Sequence, residues 1–138
     1  MKNNKQILVT GGAGFVGTNL IKLLLKKTSY KIVSIDNYTS GTKLNHIRSS
    51  RVKYIKGNTA NISKFVKNPN KIKTIFHFGE FARIYQSFLK MDQCIESNSI
   101  GTNAIFNFCL KHKVKLIYSA TSASLGNKGN DRNLSPYA

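Results

Sequence analysis

The segment Thr10–Gly17 reads TGGAGFVG, in which Gly11, Gly14 and Gly17 recur at intervals of three. It follows a short apolar run, Gln6–Val9, and opens a stretch whose leucines and isoleucines recur with helical spacing. Strand, glycine turn and helix in this order predict the front half of a dinucleotide-binding βαβ unit. There the first glycine permits the turn, the second lets a pyrophosphate approach the backbone, and the third lets the helix pack closely on the strand.

The next apolar run supports this prediction. Tyr30–Ile35 is typical of a buried strand and is followed by Asp36 and Asn37, about 20 residues past the last glycine, where an acidic side chain binds the adenosine ribose. A carboxylate there repels the 2′-phosphate of NADP, so NAD is favoured, and Lys43 and Arg48 downstream make that preference moderate. The alternative, a glycine turn without a cofactor, explains the order of these features less well.

Size and composition restrict the class of protein. A chain of 138 residues with 41% apolar residues is long enough for one domain, 1–138, and too short for two. No run approaches the ~18 apolar residues of a membrane span, and no apolar signal region precedes the first strand, so we expect a cytoplasmic protein without a membrane partner.

Cys94 and Cys109 lack metal or redox spacing and are expected to be reduced. The three histidines have no mutual metal spacing, which predicts no metal site.

The charge is strongly basic, with 22 lysines and arginines against five acidic residues and a net charge of +17. One interpretation is nucleic-acid binding through neutralised phosphates. The other is a lysine-rich composition spread over solvated faces. The basic residues are scattered and form no arginine-rich stripe interleaved with aromatics, which favours the second interpretation. A positive surface would still steer anionic nucleotides toward the protein.

Strand and helix patterns alternate along the chain, which predicts a parallel sheet covered by helices on both faces. The predicted strands are Gln6–Thr10, Tyr30–Ile35, Val52–Ile55, Lys73–Phe78 and Lys115–Ser119, and the predicted helices are Phe15–Lys27, Asn61–Lys67, an irregular Arg83–Lys90 and a long Asp92–His112. Right-handed crossovers and a switch after the third strand predict an α/β fold with a Rossmann-type doubly wound sheet of order 3-2-1-4-5. Ligands of such sheets bind at the carboxyl ends of the strands.

Hydroxyl-rich segments follow the last predicted strand, at Ser119–Gly126 and Ser135–Tyr137. Together with the glycine motif they give the chain its resemblance to the extended short-chain dehydrogenase/reductases, and more narrowly to the NAD-dependent sugar-nucleotide epimerase/dehydratase family. The matching segments occur in order along the whole chain: Thr10–Gly17, Asp36-Asn37, Gly57-Asn58, His77–Gly79, Asn98–Thr102, Ser119–Gly126 and Ser135–Tyr137.

The resemblance implies a role for each matching position. The cofactor residues it implies are Gly11, Gly14, Phe15, Val16, Gly17, Asp36, Asn37, Asn58, Thr59, Phe78, Gly79, Asn98 and Ser119. Within that set, Asn58 and Thr59 would flank the adenine, Phe78 and Gly79 would line the path to the nicotinamide ribose, and Asn98 would support the strand ends. Thr121 corresponds to the catalytic threonine or serine, with its neighbour Ser122 left open, and Tyr137 corresponds to the catalytic tyrosine.

The chemistry that the resemblance implies is that of a UDP-glucose 4-epimerase-like enzyme acting on a nucleotide sugar. The tyrosine removes a proton from a sugar hydroxyl while hydride passes to the nicotinamide. The family's lysine four positions later would fall beyond Ala138, so this chain is expected to be the NAD-binding N-terminal portion, without the later strands and the substrate domain. A catalytically inactive NAD-binding fragment is the alternative. The resemblance also implies a homodimer through helix Asp92–His112.

Some positions depart from the family's pattern or have no assigned role. Asn58 stands where an aspartate is usual, and Glu80 stands where small apolar residues are common. Glu80 is expected either to contact the substrate or to face a polar loop. His77 lies in a predicted strand and is expected to be a hydrogen-bonded core residue, and Tyr118 is expected to be a packing residue.

Overall fold

A computed structural model describes residues 5–120. Five strands form one parallel sheet of order β3-β2-β1-β4-β5, which confirms the predicted topology. The strands are β1 Gln6–Thr10, β2 Lys31–Asp36, β3 Val52–Lys56, β4 Ile72–His77 and β5 Lys115–Tyr118. Their ends differ from the predicted ends by one residue at most. Apolar patterning identifies a strand but does not specify the residue at which its hydrogen-bonded ladder ends.

The connections contain helices of unequal length. They are α1 Phe15–Lys27, α2 Ile62–Phe65, α3 Ile84–Leu89, α4 Met91–Ile95 and α5 Thr102–His112, with 3₁₀ turns at Lys43–Asn45, Thr59–Asn61 and Pro69–Lys71. The bounds of α1 agree with the prediction. Within the described range no helix has the length and apolar character needed to cross a bilayer.

The long predicted helix Asp92–His112 is not a uniform α-helix. A π-helical segment, Glu96–Gly101, separates α4 from α5, and such wider turns are invisible to a 3.6-residue apolar pattern. At the end of this segment Gly101 packs against Thr59, where an added Cβ would collide with the threonine Oγ1. The run ends at Lys113, which has the left-handed φ of 53° typical of a helix C-terminus.

Apolar side chains pack on both faces of the sheet because neighbouring strand residues point to opposite sides. Leu8 and Ile75 pack on one face with Ile105 of α5. Val9 packs on the other face with Ile21 of α1. The sheet is therefore covered by α1 on one side and by α5 on the other, as in a doubly wound fold.

Cys94 and Cys109, expected to be reduced, are both free thiols. Cys109 lies in the core on the α5 side of the sheet, and burial raises the pKa of its thiol to about 11. A thiol that stays protonated in an apolar setting packs as a small apolar group.

Candidate cofactor site at the switch point of the sheet

A cavity of about 560 Å³ opens where the strand order reverses, at the carboxyl ends of β1, β2 and β4. Its wall includes eight of the residues predicted to bind a cofactor: Gly11, Gly14, Phe15, Asp36, Asn37, Thr59, Phe78 and Gly79. These residues come from four separate connections of the chain, and the sheet brings them to one edge. The position agrees with the general rule for ligands of open α/β sheets.

The fold requires glycine at Gly11, in the turn after β1, and at Gly17, in the first turn of α1. Gly11 has a φ of 71°, and a Cβ there would lie 2.8 Å from the carbonyl oxygen of Phe78. At Gly17 a Cβ would collide with the carbonyl oxygen of Gly11. The first glycine therefore allows β1 and β4 to approach, and the second lets α1 pack against the turn. Gly17 itself is buried and lies outside the cavity wall.

Gly14 differs from both, because a Cβ there would make one tight contact with the fold rather than a collision. Its φ is −83°, and the nearest atom to an added Cβ is the Gly11 carbonyl oxygen at 3.3 Å. The space at this position opens on the cavity at the N-terminus of α1, whose first turn has no side-chain cap and no acidic residue. Free N–H groups, the positive end of the helix dipole and open space fit a phosphate group.

The carboxylate of Asp36, at the end of β2, links three parts of the site. One oxygen accepts a hydrogen bond from the backbone N–H of Ala13 at 2.9 Å, and the other accepts one from the N–H of Tyr38 at 2.8 Å. Asp36 thereby holds the glycine turn against β2. Each carboxylate oxygen has a second lone pair, so the group retains acceptor capacity for ribose hydroxyls. Asn37 is exposed, and its side chain accepts from the N–H of Thr39.

The loop after β2 also contributes to the wall, which the sequence did not predict in detail. Asn45 donates to the carbonyl oxygen of Ala13 at 2.8 Å, and the N–H of Thr42 donates to the same oxygen at 3.2 Å. Tyr38, held at a φ of 62°, shares a hydrogen bond of 2.9 Å with His46. The loop is thus tied to the glycine turn, but a single asparagine in a polar loop gives no sequence signal for such a contact.

Buried Thr10, at the end of β1, and buried His77, at the end of β4, fix the backbone that lines the cavity. The Oγ1 of Thr10 accepts hydrogen bonds from the N–H groups of Phe78 at 3.1 Å and Gly79 at 3.0 Å. It also lies 2.6 Å from Nδ1 of His77, which is fully buried. Because two N–H groups occupy the lone pairs of this hydroxyl, its proton points to Nδ1. His77 is then the neutral tautomer with hydrogen on Nε2.

The same histidine contacts Thr102 of α5 directly, and Thr102 in turn contacts the Glu80 carboxylate, which also binds Tyr118 of β5. Nε2 lies 2.8 Å from Oγ1 of Thr102, which donates to Oε1 of Glu80 at 2.7 Å. The hydroxyl of Tyr118 donates to the same oxygen at 3.0 Å. Burial lowers the pKa of His77, partly opposed by Glu80, and burial followed by the bond to Glu80 raises the pKa of Tyr118. His77 is a hydrogen-bonded core residue as predicted.

The structure confirms the packing role of Tyr118, adds a polar contact to it and gives Glu80 definite partners. Tyr118 is a polar partner of Glu80 as well as a packing residue, since it also contacts the His77 ring at 5.8 Å between centroids. Glu80 lines the cavity and is bonded to Thr102 and Tyr118. Because each contact spans more than 20 residues, spacing along the chain contained no signal for it.

Asn98 lies behind the cavity, in the π-helical segment. Its Oδ1 accepts from the N–H of Phe81 at 2.6 Å, and its Nδ2 donates to the carbonyl oxygen of Phe81 at 2.9 Å. Ser97 donates to the carbonyl oxygen of Gly79 at 3.3 Å. The segment thus fixes the backbone after β4, where Phe81 and Gly79 line the cavity.

The remaining predicted residues lie at its margins or outside the described range. Asn58 accepts from the N–H of Ala60 and caps the turn that holds Thr59. Exposed Val16 lies outside the wall, as does Ser119, whose N–H donates to the backbone carbonyl oxygen of His77 at 3.3 Å. Thr121 and Tyr137, the predicted catalytic pair, lie outside the described residues.

Other wall residues had no predicted role. Phe81, Ala82, Arg83, Gln86 and Ser97 complete the side of the cavity next to β4. They come from the loop after β4, from α3 and from the π-helical segment, and none of them belongs to a motif recognised in the sequence. Across residues 5–120 no three histidine, cysteine, aspartate or glutamate side chains gather into a group that could hold a metal ion.

Known proteins share both the sequence and the fold. The chain is 33% identical over 130 residues to ADP-L-glycero-D-manno-heptose-6-epimerase of Brachyspira hyodysenteriae, which covers 90% of this chain and 39% of the relative. It is 30% identical to dTDP-D-glucose 4,6-dehydratase of Dictyostelium discoideum, covering 94% of this chain and 32% of that protein. The chain therefore spans only 32% to 39% of these relatives' lengths.

A solved structure gives the same result. The Bordetella bronchiseptica enzyme WbmF in complex with NAD+ has a TM-score of 0.80 at 25% identity, covering 97% of this chain and 41% of that one. Residues 7–138 match the sequence profile described as the NAD dependent epimerase/dehydratase family. With a match over nearly its whole length and the sheet, turn and cavity described above, the chain belongs to the NAD dependent epimerase/dehydratase family.

Proposed function

We propose that this chain binds NAD across the cavity, with the pyrophosphate at the N-terminus of α1 and the adenosine ribose at Asp36. The observation that carries the proposal is the position of Gly14, where a Cβ would make one tight contact within the fold, at 3.3 Å, but would occupy the space that a bound phosphate needs. Asp36 lies on the adjacent wall with acceptor capacity remaining. The net charge of +17 adds long-range attraction for an anionic cofactor.

We further propose that the chain is the cofactor-binding part of an enzyme that epimerises or dehydrates a nucleotide sugar, of the UDP-glucose 4-epimerase type. NAD, when bound, accepts hydride from the sugar and returns it. Tyr137 would remove the proton from the sugar hydroxyl, and Thr121 would donate a hydrogen bond to the reacting oxygen. The family membership and the relatives' activities support this proposal. The alternative is NAD binding without turnover by this chain.

We also propose an oligomeric state and a cellular location for the protein. Large apolar side chains are exposed on the helices after β4, including Phe88, Leu89 and Leu110, each at least 72% exposed. Exposed large apolar side chains favour association, which supports a homodimer formed through these helices. We place the protein in the cytoplasm, where its two free thiols would stay reduced.

Calorimetric titration of the full chain with NAD, with NADP and with a short DNA duplex, each at two salt concentrations, tests the cofactor proposal. We expect saturable NAD binding with little salt dependence and weaker NADP binding. Duplex binding that falls steeply with salt, in the absence of NAD binding, would replace the proposal with nucleic-acid binding. Incubation with NAD and UDP-glucose, followed by chromatography of the nucleotide sugars, separates an active enzyme from a binding fragment.

A further inference from the structure

The acidic residues of this basic chain are unevenly placed. The sequence has only five, and two of them, Asp36 and Glu80, line the same cavity. Asp36 has a place in the proposed cofactor site at the end of β2. Glu80 lies beyond the end of β4, its side chain 22% exposed, and the proposed function gives it no role.

The sheet order determines which half of a dinucleotide would lie near Glu80. The glycine turn follows β1, and β1 lies between β2 and β4. A pyrophosphate at the N-terminus of α1 with an adenosine ribose at Asp36 occupies the β1 and β2 side. The nicotinamide half must then extend to the other side of the switch point, over β4, where Glu80 contributes to the wall.

Within residues 5–120, no cationic side chain pairs with the Glu80 carboxylate. Its hydrogen-bond donors, Thr102 and Tyr118, are neutral hydroxyls. Among residues 5–120 the only ionisable nitrogen within 4.0 Å is Nε2 of His77, and burial favours the neutral form of that ring by lowering its pKa. Arg83 also lines the cavity but makes no ion pair with Glu80.

We propose that Glu80 sets the redox preference of the cofactor site, by favouring the oxidised nicotinamide over the reduced one. The inference rests on the proposed NAD binding. NAD+ and NADH share the adenosine, the pyrophosphate and both riboses, and they differ at the ring, which has one positive charge when oxidised and none when reduced. A carboxylate in the wall beside the ring stabilises only the charged form.

Such a preference suits the proposed reaction, which begins with hydride leaving the sugar. A site that holds the oxidised cofactor starts each cycle in the competent state. The small apolar residues common at this position in the family would lack this charge, so the preference is expected to be particular to chains with an acid here.

Calorimetry with NAD+ and with NADH tests the proposal, for the wild type and for Glu80→Gln. Glutamine keeps an oxygen that accepts from Thr102 and Tyr118 but removes the charge. We expect the ratio of the NADH dissociation constant to the NAD+ dissociation constant to fall by about threefold to tenfold in Glu80→Gln. The reason is that the Coulomb attraction between the carboxylate and the charged ring is lost from a partly solvated site. Asp36→Asn is the matched control: it should weaken both forms equally, because they share the adenosine half.

A second control and a second variant complete the design. Glu96→Gln removes an exposed acid outside the cavity wall and should leave the ratio unchanged. Ala82→Lys places a positive charge in the wall at an exposed position. This charge should repel the oxidised ring and lower the same ratio, so the variant tests the inference if Glu80→Gln fails to fold. If Glu80→Gln folds, an unchanged ratio in that variant overturns the inference. If Glu80→Gln does not fold, an unchanged ratio in Ala82→Lys overturns it. A wild type that binds neither form overturns the proposed function itself.

Discussion

The Oγ1 of Thr10 and the Nδ1 of His77 lie 2.6 Å apart and join β1 to β4 beneath the cavity. The same threonine oxygen accepts the N–H of Gly79, a residue of the cavity wall. Protonation of Nδ1 would turn the acceptor of the Thr10 hydroxyl into a donor, while the threonine lone pairs are already occupied. The position of the wall after β4 therefore depends on a neutral imidazole.

This dependence predicts a loss of stability in mild acid. Burial lowers the pKa of His77 from its ordinary value of 6.5, so below that value the unfolded chain binds a proton that the folded chain refuses. The free energy of unfolding should be constant with respect to this group above about pH 6.5 and should fall as the pH decreases below it, by at most about 1.4 kcal/mol per pH unit. Urea unfolding between pH 7.5 and 5.5 measures the slope.

Two variants assign that slope. His77→Gln should abolish most of it, although the variant is less stable at every pH. His112→Gln, at the end of α5, should preserve it. A slope that is the same in wild type and His77→Gln would show that another group is responsible.

The glycine turn predicts opposite outcomes for two similar substitutions. Gly14→Val requires the Gly11 carbonyl to shift by only a few tenths of an ångström, so stability should fall by only about 1 kcal/mol. NAD affinity should fall at least tenfold, since one hydrogen bond to a charged group is worth about 1.5–3 kcal/mol. Gly17→Ala forces a collision with the Gly11 carbonyl and should destabilise the fold by about 1–3 kcal/mol. Calorimetric NAD titration and thermal melting measure both, and unaltered NAD affinity in Gly14→Val would refute the phosphate assignment.

Asp36→Ala should lower NAD affinity about tenfold and reduce the discrimination against NADP, because the carboxylate that repels a 2′-phosphate is lost. It should also lower stability, since the N–H groups of Ala13 and Tyr38 lose their acceptor. Parallel titrations with the two cofactors provide the measurement, and Asp92→Ala, on the exposed face of α4, is the control. A preserved NAD preference would remove Asp36 from the site.

Asn98→Ala should act on the cavity at a distance. It leaves the N–H and carbonyl of Phe81 without their partner, at an expected cost of about 1–3 kcal/mol in stability. NAD affinity should fall several-fold because Phe81 lines the cavity. Asn103→Ala, at an exposed position of α5, should change neither quantity. Unchanged melting temperature and affinity in Asn98→Ala would contradict this role.

Ser34→Ala is expected to stabilise the protein. The Oγ of Ser34 is buried on β2 and has no hydrogen-bond partner within the described part of the chain. A buried hydroxyl without a partner costs about 1–3 kcal/mol, so its removal should raise the free energy of unfolding by about 1 kcal/mol in urea titrations. Ser63→Ala, which removes a hydroxyl at an exposed position of α2, should stay within about 0.5 kcal/mol of wild type. A destabilised Ser34→Ala would show that the hydroxyl contributes a favourable interaction.

The order of strands, turn and first helix followed from the sequence alone. Apolar periodicity, glycine spacing and the right-handed crossover rule are local or topological constraints, and they predicted the sheet order and the bounds of α1. They also located Asp36 beside the glycine turn, because the ends of adjacent parallel strands share one edge of the sheet.

Only the tertiary structure distinguished Gly14 from Gly17, since identical residues in one motif differ in what surrounds their missing side chains. Only packing brought His77, Glu80 and Tyr118 together, from the end of β4, the loop after it and the end of β5. Spacing along a chain contains no information about contacts that form when strands pair and a helix crosses them. Such contacts depend on the sum of many side-chain volumes across the core, which local patterns do not specify.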